Sequence, residues 1–582
     1  MTMLSLLRRF LPPFRNKAIV GTICKVVEVI FDLLTPMIVA RMIDAGVAAH
    51  DMALVVRLGA LLVLLAVVGY GFTFVCQRLA ATVSQGMGTD IRNALYAKVG
   101  ELGAADLDRF GTPSLVTRVT NDVNQVQVAI AMGIRMLIRW PFIAIGSIVA
   151  AMSIDLRLGA VLAVCAVSIA LVFWVVMSRS IPLFRAIQEK LDGISRIARE
   201  NLEGVRVVRA FGREEHEDER FVSASRDQAD TSIAVGKLSA LLNPSTYLIM
   251  NLGVVAILWA GSVRIDAGSL TQGEVIAFVN YMTQVLVSIG YVANLVVVFT
   301  RGSASATRIM EVLNTSPEVA EASDAVELPA APAPGTPALS FENVSFTYGG
   351  QSAALGNVSF ALAPGETLGI IGGTGSGKST LSALCTRLYD PTQGIIRVNG
   401  VDIRHARLDS LRKTVSSVPQ RASLLSGTIR SNLSWRKLEA SDDELWQALA
   451  TAQAQDFVRE KEGGLDAPVE AGGVNFSGGQ RQRLTIARAL VGSPQVIVLD
   501  DAASALDYAT DARLRHALKE LSDRPTTVVI SQRVAAVMGS DQILVLDHGQ
   551  MAGLGTHDEL VRTCPIYREI CLSQLKAEEV DN

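Results

Sequence analysis

The sequence predicts two unlike domains in tandem: an all-α membrane domain of six spanning helices, then an α/β domain on a parallel sheet. Three observations predict this. The 582 residues are 50% apolar, and the 47 glycines raise that share to about 58%, against an ordinary ~45–50%. Yet 19% of residues are charged and the mean hydropathy is +0.35. Such values exclude a disordered chain and fit poorly with a wholly water-soluble enzyme. The long apolar runs fall almost entirely within residues 1–310. From Ala338 onward, short β-branched strands alternate with helical stretches.

A span needs roughly 20 mainly apolar residues to cross about 30 Å of hydrocarbon. Six runs qualify: 17–40, 55–80, 128–153, 157–180, 238–263 and 275–299. Loops near 41–54, 154–157 and 264–274 are short and poor in Lys and Arg. The connections 81–127 and 181–237 are long and basic, with Arg92, Lys98, Arg118, Arg185, Lys190, Arg206 and Arg209. Cytoplasmic loops of membrane proteins carry the excess of basic residues, so both long connections and both termini are expected in the cytoplasm. Leu191, Ile194, Ile197 and Ala198 have helical spacing, so the membrane helices are expected to run on beyond the bilayer. Arg8, Arg9, Arg15 and Lys17 precede the first run and no small-residue cleavage site follows it, which reads as an uncleaved span.

The division expected is a membrane domain over 1–315, a linker over 316–337 and a second, α/β domain over 338–582. The linker (SPEVAEASDAVELPAAPAPGTP) is rich in Pro, Ala and acid. Six cysteines (Cys24, Cys76, Cys165, Cys385, Cys564, Cys571) lack any C-x-x-C spacing and are expected to be buried, reduced thiols. A net charge of -3 offers no basic field for nucleic acid.

The run ETLGIIGGTGSGKSTL (366–381) reads as a strand, a Gly-rich loop and a helix start. Gly372 to Ser379 fits G-x-x-x-x-G-K-[ST], in which backbone N–H groups close around phosphate oxygens at a helix N-terminus. Lys378 would reach the β and γ phosphates and Ser379 would ligate Mg²⁺. The strand Val496–Leu499 ends in Asp500, a second Mg²⁺ ligand. Between these elements lies FSGGQRQR (476–483).

Together these motifs resemble the ATP-binding cassette of ABC transporters, and the six-span half resembles the membrane domain of an ABC exporter. The resemblance covers nearly the whole chain. It implies ATP and Mg²⁺ at Gly372, Gly373, Thr374, Gly375, Ser376, Gly377, Lys378, Ser379 and Thr380. It implies that Tyr348 stacks on adenine, and that Gln420 senses Mg²⁺ and contacts the membrane domain. Ser477, Gly478, Gly479 and Gln480 match the signature that binds the γ-phosphate held by an opposite cassette, and Asp507 matches the D-loop. One cassette then holds half of each ATP site, so the chain is expected to be half of a transporter.

Two positions depart from the family pattern. The residue after the Mg²⁺-binding aspartate, usually a glutamate that polarises the attacking water, is Asp501, one methylene shorter. The switch histidine is replaced by Gln532, which hydrogen-bonds but carries no proton. A general base contributes roughly 10²–10⁴-fold. The pattern resembles the degenerate-site subunit of heterodimeric ABC exporters: this chain would bind ATP, hydrolyse it poorly, and lend its intact signature to a second half-transporter. The alternatives are a slow homodimer with Asp501 as base, an importer on the same scaffold, or an ATP-gated channel.

The segments 112–123 and 201–214 resemble the family's coupling regions that dock on cassettes, with Arg209 and Phe211 as contacts. In the first span Lys25, Glu28 and Asp32 share one helix face. Charges at membrane depth are costly unless paired or facing water, so these residues are expected either to form a self-neutralised cluster between helices or to line a cavity or gate, with Asn251, Asn280, Tyr281 and Gln284 as weaker polar companions. The expected setting is the plasma membrane, and the expected cargo a small amphiphile.

Overall fold

The computed structural model describes residues 2–349 and 353–575. It divides into two compact units, residues 1–100 with 112–315 and residues 101–111 with 316–582. All six cysteines are buried and free.

The first unit is helical: α1 (Thr2–Phe10), α2 (Arg15–Arg41), α3 (Met52–Glu101, whose last residue groups with the second unit), α5 (Thr112–Thr117), α6 (Val123–Met136), α7 (Arg139–Ile154), α8 (Leu156–Glu203), α9 (Val205–Ala210), α10 (Glu214–Ala240), α11 (Leu242–Asp266) and α12 (Gln272–Asn314). The helix α4 (Ala104–Phe110) belongs to the second unit. The 50 residues of α3 and 48 of α8 are far more than a bilayer needs, as the helical spacing beyond the apolar runs predicts. Asp155 caps α8, its carboxylate accepting from Arg157 N and Leu158 N at 2.9 Å.

Among the described residues, five helical runs are long and apolar enough to cross a membrane, not six. The first predicted span is a continuous helix, α2, but Lys25, Glu28 and Asp32 lower its apolarity below that of the others. The predicted span 128–153 is broken at Leu137–Ile138 into α6 and α7. The core of this unit gathers Leu158, Leu162, Ile257, Phe278, Tyr281 and Met282.

The second unit holds a sheet of ten strands: β1 (Leu339–Thr347), β2 (Ala353–Leu362), β3 (Thr367–Gly372), β4 (Gln393–Val398), β5 (Val401–Asp402), β6 (Val415–Val418), β9 (Val496–Asp500), β10 (Thr526–Ile530), β11 (Gln542–Asp547) and β12 (Gln550–Gly555). The short β7 (Gly427–Thr428) and β8 (Pro468–Val469) pair apart from it. The order is β5-β4-β1-β2-β12-β11-β3-β10-β9-β6. The run β11-β3-β10-β9-β6 is parallel, with Ile530 opposite Ile370 and Asp500, and Leu499 opposite Val418. β3, β9 and β10 are buried throughout, as unbroken apolar runs in a parallel sheet must be.

The stretch 316–337 has linker composition but is tethered to the second unit. Val326 N donates to His405 O (2.8 Å), Arg407 N donates to Val326 O (2.9 Å), and Leu328 N donates to Ser410 Oγ (2.8 Å).

Candidate functional site

In a parallel sheet every strand ends on the same edge, and ligands bind in the crevice beyond those carboxyl ends. β3 runs into the Gly-rich loop, β6 into Gln420, β9 into Asp500 and Asp501, and β10 into Ser531 and Gln532. These loops enclose one cavity of about 370 Å³, lined by Thr374 to Thr380, Tyr348, Gln420, Asp500, Asp501 and Gln532. The sheet thus gathers residues that lie far apart in sequence.

The loop is built by its glycines. Gly375 and Gly377 have φ of 80° and 95°, in the left-handed region that other residues avoid. A Cβ at Gly377 would lie 2.6 Å from Ala354 O, whereas one at Gly373 would meet nothing within 4 Å. The backbone therefore turns tightly yet leaves open room on its inner side, a cradle that fits a phosphate. α13 (Lys378–Cys385) starts at this loop and points its free N–H groups into it.

Lys378 Nζ donates to Gly372 O at 2.9 Å and to Gly373 O at 2.6 Å. Burial holds its ammonium below the usual lysine range, against the opposing charges of Asp500 and Asp501. Ser379 Oγ lies 3.3 Å from Asp500 Oδ1. Burial pushes the Asp500 carboxyl up, countered by Ser379's hydrogen bond. A hydroxyl and a carboxylate oxygen side by side form a hard-oxygen pair that fits Mg²⁺. Gln420 Nε2 donates to Asp501 Oδ2 at 3.3 Å, and Asp501 has φ of 47°. Tyr348 is 42% exposed, and its hydroxyl donates to Thr380 Oγ1 at 3.2 Å.

The signature residues do not line this cavity. Ser477 caps the helix Gly478–Leu490 in a reciprocal box with Gln480: Ser477 Oγ accepts from Gln480 N (3.3 Å) and Ser477 N donates to Gln480 Oε1 (3.0 Å). Ser477 and Gly478 are exposed. Asp507 likewise caps the helix Tyr508–Lys519, and the bond from Thr510 N holds its carboxyl below the usual range.

These site features accompany clear kinship. The family described as ABC transporter transmembrane region matches residues 18–289, and the ABC transporter family matches residues 355–504. An uncharacterized ABC transporter ATP-binding protein of Mycobacterium tuberculosis is 38% identical over 98% of both chains.

The chain belongs to the ABC transporter family.

Another uncharacterized ABC transporter ATP-binding protein, YfiB of Bacillus subtilis, is 35% identical over 98% of both chains. A multidrug efflux ATP-binding/permease protein of M. tuberculosis is 30% identical over 96% of this chain, which spans 46% of that longer protein. A bacterial Atm1-family ABC exporter solved with ATP bound shares the fold, with a TM-score of 0.76 over 98% of both chains at 24% identity. The chain is thus a fused ABC half-transporter, a membrane domain joined to an ATP-binding cassette.

In the membrane unit Lys25 and Glu28 form a mutually neutralised cluster rather than pocket walls: they are 5% and 8% exposed, and Lys25 Nζ donates to both Glu28 oxygens at 2.7 and 2.9 Å. Arg139, a residue the sequence reading passed over, also pairs with Glu28 and lies 3.0 Å from Asp32 Oδ2. Asp32 and Gln284 do line a pocket of about 460 Å³, joined by Arg139, Trp140 and Asn280. Gln284 Nε2 donates to Asp32 O (3.3 Å), and Gln284 Oε1 accepts from Ser147 Oγ (3.0 Å). Trp140 stacks on Tyr291, centroids 4.1 Å apart. Its indole N–H is buried and meets no acceptor among the described residues. Arg139 could have been found by the signal that picked out Glu28, a charge inside an apolar run. Tyr281 is fully buried and donates to Leu33 O at 2.8 Å, a core role. Asn251, on α11, does not line this pocket.

The two predicted coupling segments, 112–123 and 201–214, fall in the first unit. α4, just before the predicted 112–123, is the part that groups with the cassette. Residues 112–122 stay in the first unit, where Arg308 pairs with the buried Asp122, Arg308 Nε donating to Asp122 Oδ2 at 2.8 Å, and Arg118 donates to Glu311 Oε2 at 2.8 Å. Phe211, in the second predicted segment, is exposed within the first unit.

Proposed function

We propose that this chain is the less hydrolytic half of a heterodimeric ATP-driven exporter in a bacterial inner membrane, with its cassette in the cytoplasm. The observation that carries the reading is the convergence of Asp501 and Gln532 on the cavity that holds Lys378, Ser379 and Asp500.

In this reading the Gly372–Thr380 loop grips the ATP phosphates, Lys378 supplies the point charge, and Tyr348 carries the base. Ser379, Asp500 and Gln420 hold Mg²⁺, which when bound neutralises phosphate charge. Hydrolysis then needs a base poised to take a proton from water and a switch group beside the γ-phosphate. Asp501 is short by a methylene and is tied to Gln420, and Gln532 cannot carry a proton. Misplacing a base by about 1 Å can cost ~10²-fold. The nucleotide is therefore bound and held. Ser477, Gly478, Gly479 and Gln480 are preorganised by their capping box, so the chain lends a competent signature to the partner's site, with Asp507 as its D-loop residue.

Cargo is a small amphiphile, drug or lipid, moved out of the cytoplasm or inner leaflet. Its apolar body rests on Trp140 and its polar end meets Asp32 and Gln284 in the membrane pocket. A slow homodimer is the second reading, favoured by the fact that Asp501 does line the cavity, oriented by Gln420.

Steady-state ATPase of the purified chain, alone and co-expressed with a neighbouring half-transporter gene, separates the two. The heterodimer predicts that the single chain turns over at under ~1% of the pair, the loss of a general base. Turnover within about threefold of the pair would leave the homodimer.

A further inference from the structure

Two helices each turn one polar face to the membrane pocket. Asp32, Thr35 and Pro36 on α2 are spaced i, i+3, i+4, and so are Asn280, Thr283 and Gln284 on α12. Proline has no N–H, so the carbonyl of Asp32, four residues before Pro36, loses its helical partner. Gln284 Nε2 supplies a donor in its place at 3.3 Å, and Gln284 Oε1 accepts from Ser147 Oγ at 3.0 Å. Both ends of Gln284 are thereby spent on holding α2 and α7 to α12.

The neighbouring polar groups spend donors in the same way. The hydroxyls of Thr35 and Thr283 donate to Phe31 O (2.9 Å) and Val279 O (3.1 Å), and Asn280 Nδ2 donates to Ile276 O (3.2 Å). Their spare capacity lies chiefly in oxygen lone pairs. The indole N–H of Trp140 is buried and offers the cavity no donor. Asp32 is the strongest acceptor left. Its side chain is 38% exposed, against 21% for Arg139. Asp32 Oδ2 is buried 3.0 Å from Arg139, so that exposure lies on Oδ1 and Cβ. Among the described residues Oδ1 accepts no hydrogen bond. Arg139 is also shared with Glu28, so Asp32 does not have the guanidinium to itself.

We infer that Asp32 selects cargo whose polar end is a primary or secondary ammonium, and discriminates against quaternary cations and carboxylates on the same apolar body. One ammonium N–H donates to Asp32 Oδ1, and a second is left for Asn280 Oδ1, which belongs to a residue lining the same cavity. A hydrogen bond from a charged donor to a carboxylate is about twice as strong as a neutral one. A quaternary cation keeps the charge but brings no donor, and its methyl groups hold the charge off the carboxylate. A carboxylate brings acceptors to a wall of acceptors and a like charge to Asp32. The inference rests on the reading of this pocket as the cargo site.

The test is equilibrium binding of radiolabelled octylamine to the full chain in lipid nanodiscs at neutral pH, where the amine is protonated. Octyltrimethylammonium, octanol and octanoate serve as competitors, and protein-free nanodiscs correct for partition into lipid. Octylamine is expected to bind at least ~10-fold tighter than each of the three. Asp32→Asn keeps an acceptor oxygen but not the charge. It should weaken octylamine ~10-fold and leave octanol within about twofold, which shows the pocket still formed. Asp32→Glu keeps the carboxylate and should keep the preference. Octyltrimethylammonium, octanol or octanoate binding as tightly as octylamine overturns the inference, and so does octylamine affinity unchanged in Asp32→Asn. Thr35→Trp fills the pocket and separates the two readings. Octylamine binding that survives Thr35→Trp lies elsewhere, and the cargo pocket fails together with the inference. Binding abolished by Thr35→Trp but unchanged by Asp32→Asn keeps the pocket and overturns the ammonium selection alone.

Discussion

The two pockets of this chain treat charge in opposite ways. In the membrane unit Lys25, Glu28, Arg139 and Asp32 form a mutually paired set of two positive and two negative groups, with Asp32 and Arg139 also reaching the pocket. In the cassette Lys378 leans on the carbonyls of Gly372 and Gly373, and Asp500 accepts from Ser379. Burial shifts both groups toward their neutral forms. The membrane charges are there to satisfy one another, and the cassette charges are poised for a ligand that brings the missing ones. Loss of a membrane charge should therefore appear as lost stability, and loss of a cassette charge as lost binding.

The largest expected effect is in the membrane set. Glu28→Gln leaves Lys25 and Arg139 short of a carboxylate and should destabilise the protein by about 3–5 kcal/mol, read as a fall in thermal midpoint in detergent. Replacing Lys25 and Glu28 together by Met should recover more than half of that, since apolar packing often replaces a buried pair at little cost. A double variant as unstable as the single one would break the comparison.

In the cassette, Lys378→Ala should weaken Mg–ATP binding to this chain by ~10–10²-fold with little change in the thermal midpoint of the nucleotide-free protein, because the lost interaction is with the nucleotide. Gly377→Ala should act on both, with about 1–3 kcal/mol of backbone strain at φ of 95° and a contact with Ala354 O at 2.6 Å.

The smallest effect is the pH response of the nucleotide-free protein. The folded pKa of Asp500 is raised, so the folded state binds more protons than the unfolded one between the ordinary carboxylate value and the raised one. Stability conferred by Asp500 therefore falls as pH rises through that window, and the cost of its buried charge is complete above it. Asp500→Asn should raise the midpoint at neutral pH and flatten the acid-side slope, while weakening Mg–ATP binding. A lower midpoint in the variant would show that Asp500 is satisfied without ligand.

Much of the cassette cavity was legible in the sequence because its chemistry is local. The G-x-x-x-x-G-K-S spacing and the strand before Asp500 each place a group by the geometry of one turn. The parallel sheet then aligns those turns without further instruction. The membrane pocket was only half legible. Glu28 and Asp32 share a helix face, but their partner Arg139 sits on another helix, and only packing reveals it. The same holds for Asp108, which accepts from the Tyr389 hydroxyl at 2.7 Å and which no periodicity joins to it. The apolar reading of 17–40 also overshot, since Lys25, Glu28 and Asp32 lower the apolarity of α2, and their pairing with Arg139 is not visible along the chain. The two family departures, Asp501 and Gln532, were plain in the sequence, and the structure adds the hydrogen bond from Gln420 to Asp501.

The central claim, that this chain's own site binds ATP but is starved of its base and switch, is tested most directly by single-turnover hydrolysis. The purified chain and its Asp501→Glu/Gln532→His variant would be loaded with labelled Mg–ATP and followed to labelled ADP. The account predicts that both bind ATP alike, and that the double variant hydrolyses it ~10²-fold faster or more. Equal rates in the two proteins would contradict it.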